Sequence, residues 1–410
     1  MPTTPTPATP ARPRTGRPPA RRLRARLPPG WLLALTLTTF AFSTDDYVIA
    51  GVLPAIATDL HVTEATAGQL VTAFSLTFAL ASPLMAVLAA TWPRRRLLTG
   101  ALLLFTAANL AAPLVTTYWQ LTALRVAAAL AAATVVPAAL AIAAQLAPQG
   151  RQGRYLALVM TGLSGSFVLG VPLGTWAAAA TGWQGAFVLG GTLGLAALAA
   201  VRATLPDPPP APTVTLTERL SPLTRPAVLT GLAAATASVL GNMLFLTYLA
   251  PFLRDMSGTG PTTLGWVFAV CGLAGIAGGQ LGGRATDRWG PSTALLLSGA
   301  LFITTMAVLL LCWHTRPTHL ALALPPLLLW TLAAWAVPPP TAARLLTLAG
   351  PAAPQALALN SSAVYLGVSG GGALGGALLA THGGAALPIA AATSMLTAQA
   401  LFALAGRLTR

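Results

Sequence analysis

The sequence of 410 residues contains no lysine and has only eight carboxylates, four histidines and two cysteines. Charged residues make up 8% of the chain, whereas soluble globular domains contain about 25%. There is too little charge to cover the surface of a soluble enzyme. Cys271 and Cys312 both lie in apolar runs, which excludes a disulfide scaffold and a cysteine-rich metal site. Because 55% of the residues are hydrophobic, the sequence predicts an integral membrane protein.

All 23 basic residues are arginine, and they give the chain a formal net charge of +15. The arginines lie between hydrophobic segments, as residues that anchor a chain at the membrane surface do, and they form no soluble basic face. We therefore expect the lipid bilayer, and no nucleic acid, as a partner. The composition, rich in Arg, Ala, Pro and Gly, is typical of a GC-rich bacterial genome. It favours the bacterial cytoplasmic (inner) membrane as the location.

Twelve apolar stretches are each long enough to cross about 30 Å of hydrocarbon with roughly 20 residues. A polar segment at 204–225, with prolines at its head, separates the sixth stretch from the seventh. The segment 1–28 is rich in Pro and Arg and lacks carboxylates, so we expect a disordered cytoplasmic tail. The chain thus divides into this tail, six helices in 29–203, a cytoplasmic linker at 204–225 and six helices in 226–410. The predicted spans are 31–55, 66–90, 97–116, 119–146, 154–178, 183–203, 226–250, 262–284, 292–312, 319–340, 355–380 and 384–406.

The distribution of arginine predicts the orientation of the chain. If the N-terminus is cytoplasmic and each span changes sides, 20 arginines lie on the cytoplasmic side and two, Arg254 and Arg316, lie outside. Arg125 remains within a span. This asymmetry obeys the positive-inside rule, and one missed span would destroy it. We therefore expect a multi-pass protein with both termini in the cytoplasm.

An internal repeat supports the division into halves. The turn between the second and third spans reads Ala-Thr-Trp-Pro-Arg at 90–94, and the turn between the eighth and ninth reads Ala-Thr-Asp-Arg-Trp-Gly at 285–290. Both turns are short and basic, both contain tryptophan, and a leucine-rich span follows each. Corresponding turns in two halves indicate an internal duplication of the kind found in transporters.

Twelve spans in two halves with these turns resemble the major facilitator superfamily. The second-half turn looks like the family's G-x-x-x-D-R-x-G motif, with Gly283, Asp287, Arg288 and Gly290 in the motif positions. The resemblance implies an all-α membrane protein with twelve transmembrane helices in two pseudo-symmetric six-helix bundles. It also implies a tight glycine-permitted reversal whose Asp and Arg pair with neighbouring helix ends as the halves rock. The first-half copy departs from the motif at both glycine positions and at the aspartate, which are Ala86, Pro93 and Ala90.

The first span carries the narrowest resemblance. It reads Thr-Asp-Asp-Tyr-Val-Ile-Ala-Gly-Val-Leu-Pro at 44–54, similar to the opening of twelve-span drug:proton antiporters, especially the chloramphenicol and arabinose efflux types. Arg125 is similar to the arginine of the family's fourth helix. The fifth span is similar to the Gly- and Pro-rich fifth helix of exporters that exchange substrate for protons. The glycines there either serve close helix packing alone or also take part in coupling. The matching positions are Gly162, Gly170, Pro172 and Gly174.

Asp45 and Asp46 are the only carboxylates within the predicted spans. An ionisable group in a membrane helix is costly unless it faces water or a partner, which makes both residues functional candidates. Asp46 lies about 12 Å along the helix from Pro54, and Arg125 lies about 10 Å from Tyr118. Because these depths agree, we expect Asp46 to pair with Arg125 and to carry the proton. Asp45 points about 100° away and is the reserve candidate, expected to meet water or a helix end. The pair could instead be a structural lock between two helices.

Neutral polar side chains within spans are candidates for a substrate cavity, which in such folds lies near the membrane midplane between the halves. The candidates are Tyr47, Asn242, Asn360 and Tyr365. Each could instead form an ordinary hydrogen bond between helices.

The predicted function is proton-coupled efflux of small hydrophobic or amphipathic compounds, such as a drug or secondary metabolite, by alternating access. We expect a monomer that uses the proton gradient, with a small-molecule substrate and without a cofactor or metal site. The sequence contains no Walker motif and no nucleophile–base set within the spans, which argues against an enzyme. Two alternatives remain: an exporter of sugars or metabolites with the same fold, and a membrane sensor that has lost transport.

Overall fold

The computed structural model describes residues 28–88, 92–207 and 216–408. Residues 1–27 of the predicted tail, Ala90 of the first-half turn and residues 208–215 of the predicted linker lie outside the described residues. Within the described ranges the chain forms helices and no strand, as predicted. The membrane helices, numbered 1 to 12 in chain order, are Gly30–Asp59, Glu64–Leu88, Arg94–Ala111, Tyr118–Leu146, Gln152–Thr181, Gln184–Thr204, Pro226–Thr247, Pro261–Trp289, Pro291–His314, Leu320–Ala336, Ala353–His382 and Ala386–Arg407.

The number of membrane crossings follows from the lengths of these helices. Eleven helical stretches among the described residues are long and apolar enough to cross a membrane. One of them, Leu320–His382, has 63 residues and is interrupted at Val337 and at Gly350–Ala352. Since a single span needs only about 20 residues, this stretch holds helices 10 and 11. The prediction of twelve spans in an all-α fold is therefore confirmed, whereas the tenth predicted span, 319–340, is broken at Val337, and a short helix, Pro338–Ala349, follows.

The turn between helices 8 and 9 shows how local sequence ends a helix. Gly290 has φ of +80°, a conformation that favours glycine, and Pro291 begins the next helix, where the missing N–H costs nothing. The expectation that Gly283 forms part of the reversal is wrong, because helix 8 continues through it to Trp289. The neighbouring Gly282 packs against the backbone of helix 10 at Ala336, so this part of helix 8 is in contact with another membrane helix.

The helices form two bundles, and the ends of the molecule differ. Arginines cluster at one end, where Arg95 donates to the carbonyl of Arg202 and Arg225 donates to the carbonyl of Ala349, both at 2.6 Å. We call this end, which also holds Arg151, Arg284, Arg288, Arg344 and Arg407, the arginine-rich end. The other end, which holds Asp59, Glu64, Trp183, Arg254 and Gly383, is called the opposite end.

The two bundles share one hydrophobic core at the opposite end and have separate cores at the arginine-rich end. The shared core joins Leu53 of helix 1 to Leu244 of helix 7. Towards the arginine-rich end, Phe105 belongs to a core whose buried residues all come from helices of the first half or their flanks. Val228 belongs to a corresponding core of the second half. The halves are therefore joined at the opposite end and separate towards the arginine-rich end.

Polar contacts between the halves follow the same division. Helix 2 meets helix 11 through Thr72 and Ser369, each of which donates its hydroxyl to the other's carbonyl at 3.3–3.4 Å. At the opposite end, Glu64 forms an ion pair with Arg254. Nearer the arginine-rich end, a cavity of about 370 Å³ lies between helices 5 and 8. The molecule is thus closed at the opposite end and opens towards the arginine-rich end.

Candidate functional site

Helix 1 carries the candidate site because it packs against helix 5 along several turns. A Cβ atom at Gly162 would overlap Thr39 of helix 1, and a Cβ atom at Gly170 would overlap the hydroxyl of Thr44. At Gly174 it would overlap Val48. The three helix 5 glycines therefore set the close approach of the two helices around the Asp45–Asp46 pair.

Helix 5 widens at the same depth. Its residues Ser166–Gly170 form a π-helical turn just before Pro172. Proline has no N–H to donate to the carbonyl of Val168, four residues earlier, so the regular helical ladder cannot continue. The wide turn places Gly170 against Thr44, directly before the two aspartates.

Asp45 is the partner of Arg125. The Nη1 atom of Arg125 lies 2.6 Å from Oδ2 of Asp45, and both side chains are at most 2% exposed. The guanidinium also lies over the ring of Phe74, at 4.3 Å from its centre. The predicted pairing of Asp46 with Arg125 is therefore wrong, as is the expectation that Asp45 meets water. Depth along a helix does not say which way a side chain faces, and neighbouring residues differ by about 100°.

Asp46 faces the other half of the molecule. Its Oδ2 atom accepts a hydrogen bond of 3.0 Å from the hydroxyl of Tyr365 on helix 11. The ring of Tyr365 stacks on Phe78 of helix 2, with ring centres 3.7 Å apart. Tyr365 was predicted to line the substrate cavity, but the structure places it on Asp46 instead, because its ring is held by Phe78.

Buried negative and positive groups are unequal in number around Asp45 and Asp46. The ion pairs formed among the described residues include Asp45–Arg125, Glu64–Arg254 and the neighbouring Arg254–Asp255. Asp46 takes part in none of them, although its residue is only 6% exposed. The site thus holds two buried carboxylates and one buried cation, and the cation is bound to Asp45.

A cavity of about 220 Å³ lies beside Asp45 and Asp46, and three of the residues predicted to line a substrate cavity are found in its wall. Tyr47, Asn242 and Asn360 line it, and Tyr47 is the only described residue of the first half that does so. The Oδ1 atoms of both asparagines are buried without a hydrogen-bond partner in the described parts of the chain. None of the described residues that line the cavity is Asp, Glu or Arg, so it is suited to a neutral molecule with an apolar body and polar groups. The remaining lining residues include Ser238, Met243, Trp335, Thr341, Val364 and Met395.

The residues of the turn between helices 8 and 9 lie far from Asp45 and Asp46. Asp287 and Arg288 are exposed at the arginine-rich end, and the Arg288 guanidinium lies 5.6 Å from the ring centre of its neighbour Trp289. Within the described ranges Asp287 forms no ion pair, so the pairing with neighbouring helix ends is not formed in this conformation.

Phe74 and Phe78 are site residues that sequence reasoning missed. They are four residues apart on helix 2 and therefore lie on one face. One supports Arg125 and the other supports Tyr365. Their spacing was visible in the sequence, but an aromatic pair at helical spacing usually means ordinary packing. The two side chains that they support, Arg125 and Tyr365, come from two other helices, 4 and 11.

Comparison with known proteins places these features in context. The Major Facilitator Superfamily matches residues 35–372 of the chain. An uncharacterized MFS-type transporter of Bacillus subtilis (strain 168), YbcL, is 34% identical over 342 residues, which is 83% of this chain and 87% of that protein. A chloramphenicol resistance protein of Streptomyces lividans is 34% identical over 279 residues, covering 66% of this chain and 70% of that protein.

Solved structures share the fold. A bacterial homolog of the human lysosomal transporter Spinster, in an inward-facing and occupied conformation, superposes with a TM-score of 0.71. The two sequences are 18% identical, and the match covers 92% of this chain and 96% of that one. A D-xylose–proton symporter gives a TM-score of 0.68 at 16% identity, covering 91% and 96%. At these identities the likeness concerns the fold alone.

Proposed function

Because the chain belongs to the Major Facilitator Superfamily, we propose that it exports small amphipathic compounds across the cytoplasmic membrane in exchange for protons. It is a membrane transporter and not an enzyme. The proposal concerns the finer points: the coupling ion, the direction and the class of substrate.

The observation that carries proton coupling is the unpaired carboxylate of Asp46. Arg125 compensates the charge of Asp45 at 2.6 Å, which leaves the buried Asp46 without an ion-pair partner in the described ranges. A buried carboxylate without a compensating charge is costly, so Asp46 is the group at this depth whose charge a proton can cancel without breaking an ion pair. When a conformational change opens a path to water, it can release the proton. Asp46 is therefore the proposed proton carrier, and Arg125 forms the ion pair with Asp45 beside it.

The direction of transport rests on orientation. We place the arginine-rich end in the cytoplasm, following the positive-inside rule. In this conformation the separated ends of the two halves then face the cytoplasm, where the transporter can take up a compound from inside the cell. Loading of Asp46 from the outside and release inside would return the transporter for another cycle.

The substrate class rests on the cavity. Its lining is mostly apolar and has no charged side chain, while Asn242 and Asn360 offer unpartnered carboxamide oxygens. This chemistry suits a neutral compound with hydroxyl or amide groups. A relative at 34% identity is a chloramphenicol resistance protein, which makes chloramphenicol the first compound to try.

The experiment uses inverted membrane vesicles that contain the full-length protein and a pH-gradient dye. Addition of chloramphenicol should release protons from vesicles with the wild-type protein. Asp46→Asn should abolish the response. Asp255→Asn, which removes an exposed carboxylate at the opposite end, should keep it.

Three results would change the proposal. A response that survives in Asp46→Asn would move the coupling site elsewhere. A response to sugars but not to chloramphenicol or other lipophilic drugs would favour the sugar exporter. If neither chloramphenicol, nor other lipophilic drugs, nor sugars produce proton release with the wild-type protein, the proposal of proton-coupled export is wrong.

A further inference from the structure

We propose that the Tyr365–Asp46 hydrogen bond is a charge-sensitive tie between the two halves, which holds the empty, deprotonated transporter in one orientation. The inference rests on the proposed role of Asp46 as the proton carrier. It assigns to Tyr365 a positioning role: the residue converts the charge of Asp46 into a change in contact between the bundles.

The tie lies where the two halves begin to separate. Asp46 stands between Phe42, which belongs to the first-half core, and Val48, which belongs to the shared core. Tyr365 comes from the second half, yet it packs against the first-half core. On the side of the arginine-rich end the halves have separate cores. The hydrogen bond therefore bridges the halves at the edge of their common core, where a change of orientation must break it.

The position of the hydroxyl group is restricted on both sides. The Tyr365 ring is stacked on Phe78, with an interplanar angle of 21°. Asp46 is held on a helix that helix 5 approaches closely at Gly170 and Gly174. In this orientation the Tyr365 hydroxyl lies 3.0 Å from Oδ2 of Asp46. Because the two residues belong to helices of different halves, the two atoms move apart when the halves rotate.

Among the residues that the structure describes, one of the charged or titratable groups around Asp46 comes from the other half. Asp45 and Tyr47 are its neighbours on helix 1, and Arg125 of helix 4 acts on it electrostatically while bound to Asp45. The ring of Tyr47 lies against Phe167 of helix 5. Among the described residues, Tyr365 is the group that reports the charge of Asp46 to the second half.

The strength of the tie depends on the proton. A hydrogen bond to a carboxylate is about twice as strong as one to a neutral acceptor. The difference corresponds to about tenfold in the equilibrium between the two orientations. Deprotonated Asp46 therefore favours the conformation closed at the opposite end, and protonation releases it.

Substrate can act on the same tie because the cavity is next to it. Tyr47, which follows Asp46, and Val364, which precedes Tyr365, both line the cavity. A compound that binds there touches the chain on both sides of the hydrogen bond. Either a proton or a substrate can then release the halves, whereas the empty, deprotonated protein stays in place. This restriction is what prevents an exchanger from running its cycle without its counter-ion.

The test measures orientation without any substrate. Spin labels are attached to cysteines introduced by Thr181→Cys in helix 5 and Thr263→Cys in helix 8. Both positions are exposed, and they lie on different halves at the opposite end. Cys271 and Cys312 are first replaced by alanine. The full-length protein in lipid nanodiscs is then studied by double electron–electron resonance between pH 5.5 and 9.

The wild-type protein should show mainly the short, closed distance at high pH, and the ratio of open to closed populations should rise about tenfold on acidification. Tyr365→Phe keeps the ring on Phe78 but removes the hydroxyl. It should show the low-pH distribution at every pH. Tyr155→Phe is the matched control, because Tyr155 packs on Trp31 within the first half, and it should titrate like the wild type.

The possible failures are distinguishable. A Tyr365→Phe protein that titrates like the wild type would overturn the tie, and so would a wild-type distribution that does not change with pH. If Asp46→Asn keeps the pH response, the assignment of the proton to Asp46 fails, and the proposed function fails with it. If Asp46→Asn loses the response while Tyr365→Phe keeps it, only the role of Tyr365 is wrong.

Discussion

Replacing Asp45 and Asp46 one at a time by asparagine should produce two different defects, a loss of stability and a loss of proton coupling, although the two residues are adjacent. Asp45→Asn removes the carboxylate from Arg125, whose side chain is only 2% exposed. Asp46→Asn removes no ion pair, and the asparagine carbonyl can still accept the hydrogen bond from Tyr365. The first substitution should therefore destabilise the fold, and the second should mainly remove proton coupling.

The magnitudes follow from burial. Removing one partner of a buried ion pair costs about 3–5 kcal/mol, because the remaining charge is left uncompensated. The loss for Asp46→Asn should stay below about 1.5 kcal/mol, since a neutral hydrogen bond takes the place of a charge-assisted one. The double variant Asp45→Asn/Arg125→Met removes both charges and should recover much of the stability.

The assay is unfolding in mixed detergent micelles by increasing SDS, followed by the fluorescence of the ten tryptophans. The free energy of unfolding is compared for the wild type, the two single variants and the double variant. Proton release in vesicles is measured on the same proteins. Equal losses of stability for Asp45→Asn and Asp46→Asn would refute the assignment of Arg125 to Asp45, as would a double variant less stable than Asp45→Asn.

Two further predictions concern packing and the closed end. Gly170→Ala should lower the free energy of unfolding by about 1–3 kcal/mol in the same assay, because its Cβ would overlap Thr44. The control Gly283→Ala meets open space and should be neutral or slightly stabilising. Equal losses of stability at the two positions would contradict the close approach of helices 1 and 5. Glu64→Gln breaks a partly exposed ion pair with Arg254, so it should change stability by less than about 1 kcal/mol and raise the open population at the opposite end a few-fold at low salt. The spin-label distances measure this opening, and an effect that persists unchanged at 1 M salt would show that charge is not its cause.

Several features of the fold could be predicted because the membrane imposes them. Hydrocarbon requires about 20 apolar residues for each crossing and leaves no backbone group unpaired, so apolar length alone defined the twelve helices. The end of helix 8 at Gly290 followed from the φ that only glycine adopts easily. Gly283 could not be placed in the same way, because helix 8 continues through it to Trp289 and a glycine alone does not mark where a helix ends.

The candidate site could be predicted in its composition but not in its pairing. Asp45, Asp46 and Arg125 stood out as charges within apolar spans, and their depths could be counted. Tyr365 was chosen as a polar side chain within a span, but its contact with Asp46 joins residues 319 positions apart. Nothing local to either helix states which helices become neighbours.

By itself, then, the sequence determined the fold class, the twelve crossings and the depth at which charge is buried, because each depends on lengths and on the cost of polarity in hydrocarbon. Tertiary structure alone decided the directions of the side chains. It turned Asp45 towards Arg125 and Asp46 towards Tyr365, since successive residues of a helix face different neighbours. The proposed division of labour between the two aspartates is a consequence of that rotation.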